Sequence, residues 1–81
     1  MKKYMVAYYN EYMRGGIHIL TPLDYRQVIK LVRKYYEFPE EITTVKELAD
    51  YYINGGQLEE LDGDTMITVQ TIDNVVLLNI Y

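Results

Sequence analysis

The first stretch of the chain sorts by parity: Tyr4, Val6 and Tyr8 fall on one side, Met5, Ala7 and Tyr9 on the other. Successive side chains of a strand point to opposite faces, so residues 3–9 are predicted to be extended. The connection from Asn10 ends in Gly15-Gly16, and Ile17-His18-Ile19-Leu20 reads as a short strand in hairpin contact with the first. The period then becomes helical. Tyr25, Val28, Ile29, Val32 and Tyr36 recur at helical spacing as a buried stripe. Thr21 is expected at the N-cap, Pro22 at the first helical position and Asp24 at the third, where negative charge suits the free N–H groups. Phe38-Pro39 stops this helix, because a residue before proline is driven out of the α region.

A second helix is predicted from Thr44. Thr44-Val45-Lys46-Glu47 matches the capping box, Val45, Leu48, Ala49 and Tyr52 form the apolar face, and Asn54-Gly55-Gly56 supplies the left-handed stop. Gln57 to Leu61 reads as a short strand and Asp62-Gly63 as a turn. Thr65 to Ile72 alternates between faces, Asp73-Asn74 reads as a two-residue hairpin turn, and Val75 to Tyr81, apolar on both faces, is expected at the centre of the sheet. The element order is ββααβββ. This is an α+β domain, with two helices packed on a mainly antiparallel sheet of about five strands, and residues 1–81 form one compact unit.

Length and composition sharpen this picture. At 81 residues a single core is barely sufficient, and with no cysteine neither disulfides nor thiolate-bound metal can reinforce it. No stretch approaches the about twenty apolar residues that span a bilayer, and no targeting segment is visible, so a soluble protein of the host cytoplasm, without membrane contact, is expected. Ten tyrosines accompany one Phe and no Trp. Three adjacent pairs, Tyr8-Tyr9, Tyr35-Tyr36 and Tyr51-Tyr52, are each expected to place one member at or near the surface, where tyrosine serves binding well.

Charge divides the chain. Residues 1–36 carry a formal +5 and residues 37–81 a formal −9, which sum to the net −4. Such an asymmetry permits separate basic and acidic surfaces, which act on association more than on fold. Arg26, Lys30, Arg33 and Lys34 fall along one side of the first helix, where they can meet phosphates or an acidic protein, or pair internally with carboxylates. Glu37, Glu40, Glu41, Glu59, Glu60, Asp62 and Asp64 form the acidic counterpart, with Tyr35 and Tyr51 as candidate aromatic anchors.

The catalytic inventory is thin. There is no Ser and no Cys, and His18 is the single histidine, set between two isoleucines without an identifiable orienting partner. Asp62-Gly63-Asp64 lacks the downstream ligands of a calcium loop and reads as a turn. Neither Gly-Gly pair has the setting of a phosphate or dinucleotide loop. No enzyme, metal or cofactor is expected.

Tyr9-Asn10-Glu11, the segment Gly16-Ile17-His18-Ile19, and Pro22-Leu23-Asp24-Tyr25 followed by Val28 resemble the first subdomain of the ArdA antirestriction proteins. The likeness spans about the first third of the chain, which is far shorter than that family and has a basic first helix. It implies a protein that blocks a restriction complex, and in general character the chain is similar to phage-encoded anti-CRISPR inhibitors. The expectation is a non-enzymatic phage or mobile-element protein that inhibits a host nucleic-acid-processing defence complex, a protein or ribonucleoprotein, by occupying a binding surface. Two alternatives stand beside it. One is a small nucleic-acid-binding or regulatory protein that uses the basic helix; the other is an oligomer, a homodimer included, that sequesters a nucleotide signal.

Overall fold

The computed structural model describes residues 3–10, 18–19, 22–61 and 65–80. Strands β1 (Tyr4–Asn10) and β2 (His18–Ile19) precede helix α1 (Tyr25–Tyr35), strand β3 (Tyr36–Glu37) and helix α2 (Val45–Ile53). Strands β4 (Glu59–Glu60), β5 (Thr65–Thr71) and β6 (Val76–Ile80) complete the chain. The class is α+β and the pairing antiparallel, as the patterning predicts. The strands divide into a four-stranded sheet, ordered β2-β1-β5-β6, and a separate two-stranded ribbon, β3-β4. The expected Gly15-Gly16 connection and Asp62-Gly63 turn lie outside the described residues.

Alternation sets the inner face. Tyr4, Val6, Thr65, Ile67, Val69, Leu78 and Ile80 are buried, while Met5, Ala7, Met66, Thr68 and Gln70 are partly or fully open to water. β1 and β5 pair along their whole length, from Tyr4 opposite Thr71 to Asn10 opposite Thr65. Onto this face the helices bring Val28, Ile29, Val32 and Tyr35 from α1 and Val45, Leu48 and Ala49 from α2. Each fully buried Val or Leu contributes roughly 1.5–3 kcal/mol.

The start of α1 departs from the expectation. Leu23 is drawn into a two-hydrogen-bond bridge with Tyr4, its N–H donating to the Tyr4 carbonyl at 2.9 Å and its carbonyl accepting from Tyr4 at 2.7 Å. Helix can form only after that bridge, so Asp24 is the N-cap and closes a reciprocal capping box with Gln27. α2 begins at the expected Thr44, whose hydroxyl accepts from the Glu47 N–H at 3.2 Å. It closes in a Schellman arrangement: Gly56 N–H donates to the Tyr51 carbonyl and Gly55 N–H to that of Tyr52, with Gly55 at φ +88°.

β6 is an edge strand, not a central one. Its apolar residues do not all face the core: Leu78 and Ile80 do, Val76 is exposed, and Asn79 accepts a hydrogen bond from the Thr68 hydroxyl on the outer side. The register shifts against Val69-Gln70, so that Leu77 is an extra, bulged residue. The β5–β6 turn is also longer than predicted. Thr71 accepts from Asn74 N–H, Thr71 N–H donates to the Val75 carbonyl, and Asn74 takes the left-handed conformation at φ 68°, which makes a three-residue loop of Ile72, Asp73 and Asn74. No helix among the described residues is long and apolar enough to cross a membrane.

Candidate functional site

The acidic surface is built where α1 stops. Tyr36 leaves the helix in extended geometry (φ −139°, ψ 145°) while its N–H still donates to the Val32 carbonyl. The break falls between Tyr35 and Tyr36, and it buries both rings, against the expectation that one would face water. Tyr35 turns inward from the helix and stacks on Tyr8 with ring centroids 5.8 Å apart. It therefore packs the core and is not a surface anchor. Tyr36, extended, sends its hydroxyl to the carbonyl of Thr65, which pins the ribbon to the start of β5.

Pairing with β4 sets Glu37 opposite Glu59 and Tyr36 opposite Glu60. Like charges directly across a strand pair are destabilising, so this register is imposed by its surroundings: Tyr36 below and the Leu61 N–H donating to the Tyr35 carbonyl at the end. Glu40 and Glu41 occupy the turn after Pro39, and all five carboxylates are exposed. Asp62 and Asp64 lie outside the described residues. The ribbon borders a cleft of about 340 Å³ lined by Tyr36, Tyr52, Leu58, Glu59, Glu60 and Ile80. Burial pushes the Tyr36 hydroxyl up to about 12, with Glu60 and Tyr52 adding to the shift.

The basic stripe does not act as a unit. Arg33 turns its guanidinium to the interhelix corner, donating to the carbonyls of Phe38 (3.1 Å), Pro39 (3.0 Å) and Ile42 (2.8 Å). It thereby braces the turn that carries Glu40 and Glu41, with three of its five N–H donors committed there. Arg26, Lys30 and Lys34 stay exposed. Arg26 lies 5.5 Å from the Tyr25 ring centre and donates to its hydroxyl, and Lys34 lies 5.6 Å from the Tyr35 ring. Among the described residues none of the four forms an ion pair with a carboxylate, so internal neutralisation by α2 or by residues 57–61 does not occur there.

Tyr51, the other expected anchor, is half-buried and donates its hydroxyl to the Gln57 carbonyl at 3.1 Å, which fastens the turn between α2 and β4. No cluster of His, Cys, Asp or Glu among the described residues has the arrangement of a metal site. Tyr36, Tyr52 and Ile80, which floor the cleft beside Glu59 and Glu60, escaped the sequence reading. The usable signal was a Tyr-Glu step just after a helix, facing a Glu-Glu step in a second short extended segment.

Compared with known proteins, the chain gives no significant match to a family model, a curated protein or a solved structure.

Proposed function

We propose that this chain is a non-enzymatic binding protein of a phage or mobile element that inhibits a host nucleic-acid-processing defence complex by occupying its cationic groove. One observation carries the reading: Glu37 and Glu59 are held face to face on a braced ribbon, with Glu60, Glu40 and Glu41 beside them and no described cation paired to any. Repulsion inside the ribbon is relieved when a basic surface arrives, and the field around it speeds the encounter. Because the ribbon is already fixed by Tyr36 and the corner by Arg33, little ordering is needed on binding.

The test measures competition between this protein and duplex DNA or guide RNA for a purified restriction or CRISPR effector complex of the host. The triple variant E37K/E59K/E60K is expected to lose at least about tenfold in inhibition, a loss of roughly 1.4 kcal/mol. The variant R26A/K30A/K34A is expected to inhibit normally. The reverse pattern, with direct nucleic-acid binding lost in R26A/K30A/K34A, would replace this reading by the second one. That second reading, a small nucleic-acid-binding protein, is favoured by the solvent exposure of Arg26, Lys30 and Lys34.

A further inference from the structure

Among the described residues strand β6 leaves one side of the sheet open, and from Val76 to Ile80 it carries neither a charge nor a proline, the bulge at Leu77 being the one feature that blunts the edge. Beside it runs a groove of about 350 Å³ between the strand and α2, lined by Tyr4, Lys46, Ala49, Asp50, Ile53, Val76 and Leu77. Its rim holds large apolar side chains in water: Ile53 is 75% exposed and Val76 54%, with Val75 (56%) continuing the strip into the hairpin. A core this small gains from covering such a strip.

The two charges on the rim indicate what covers it. Lys46 and Asp50 lie one turn apart on α2, exposed and unpaired among the described residues. Each sits at the helix end that disfavours it, the cation in the first turn and the anion in the last, and the Lys-before-Asp order is the weaker one for an i, i+4 pair. Within one chain neither position is rewarded. A two-fold axis changes this, because an isologous contact that puts residue i on residue j also puts j on i. An antiparallel copy of the same helix offers its Asp50 to Lys46 and its Lys46 to Asp50, with the apolar strip between them.

We propose that a second copy of this chain covers the groove, forming a two-fold dimer in which β6 lies beside β6, Ile53 and Val76 meet across the axis, and Lys46 pairs with Asp50 of the partner subunit. The groove shares no lining residue with the acidic cleft, although Ile80 of β6 borders the latter, so the dimer presents two ribbons, and its existence does not depend on the function proposed above.

Sedimentation velocity over a series reaching about 100 μM is the first measurement. A species of twice the 9.6 kDa chain mass is expected, and a monomer throughout overturns the proposal. V76E, K46D and D50K are each expected to weaken association at least tenfold with unchanged circular dichroism. Mixing K46D with D50K is expected to restore a dimer, as is the double variant K46D/D50K, since both arrangements set opposite charges face to face again. A dimer indifferent to all three single changes, or a K46D and D50K mixture that stays monomeric, overturns it as well.

Discussion

The guanidinium of Arg33 lies 4.1 Å from the centre of the Phe38 ring and donates to that residue's own carbonyl at 3.1 Å. One side chain thus both stacks on the corner residue and holds its backbone, while two further donors reach Pro39 and Ile42. Truncation leaves three carbonyls short of a charged donor. R33A is expected to cost about 2–4 kcal/mol in urea denaturation. R33K is expected to recover less than half of it, because an ammonium cannot span the same fork. Full stability in R33A would mean that the corner is held by Phe38 and Ile42 packing alone.

Tyr36→Phe keeps the buried ring and removes only the hydroxyl donated to Thr65. A loss of about 1–2 kcal/mol is expected near neutral pH. The folded hydroxyl, raised to about 12 from 10.0, binds its proton more tightly than in the unfolded chain. Its contribution is therefore complete below pH 10 and disappears as pH rises toward 12. Denaturation followed through this window should show a shallower alkaline decline in Y36F than in the parent chain, and tyrosinate absorbance should show one late-titrating phenol fewer.

At the start of α2 the Thr44 hydroxyl donates to the Glu47 carboxylate at 2.8 Å, which holds that carboxyl below its ordinary value; the backbone and side chain of Thr43 contribute. A lowered carboxyl stabilises the fold above its unfolded value, and the gain fades as pH falls through the folded one. Thr44→Ala is expected to cost about 1 kcal/mol as a lost N-cap. It should also return the Glu47 titration, followed by carboxyl NMR shifts, toward the ordinary carboxylate range. An unchanged titration in that variant would assign the shift to Thr43 and the Thr44 backbone, which the substitution leaves in place.

Gly56 lies against Tyr51: a Cβ there would fall 2.5 Å from the ring. G56A is expected to push the ring aside, break its bond to the Gln57 carbonyl, and lose about 1–3 kcal/mol. In a Y51A background the same change should cost little, and the double-mutant cycle reads that coupling directly. Additive losses would show that the backbone at Gly56, not the ring, is what resists a side chain.

Local chemistry was legible in the sequence. The α2 cap at Thr44, the stop at Asn54-Gly55-Gly56, the stripe of Val28, Ile29 and Val32 and the alternation of β5 all follow from neighbours within a few residues. What escaped was decided by partners far along the chain. Thr21 and Pro22 form a good helix start, yet Leu23 is claimed by Tyr4, and the helix waits for Asp24. Tyr36-Glu37 has no strand signal of its own and becomes extended because Glu59-Glu60 lies beside it. The evenly apolar β6 looked central, but β5 takes that place by pairing with β1. Arg33 read as one member of a stripe, although a cation in the last turn before a Phe-Pro corner is well placed to bond the carbonyls there.

The lateral order of the sheet has a consequence for synthesis. β1 is made before both helices, but its long neighbour is β5, and Tyr4 must wait for Thr71. Until then both helices can close their own local bonds while the stripe of α1 has little to lie on. Loops of that span are slow to close and leave greasy surface open meanwhile. The β5–β6 hairpin is thus the keystone: a nascent chain that stalls before Thr65 holds two ready helices and only β1 and β2 as a floor beneath them.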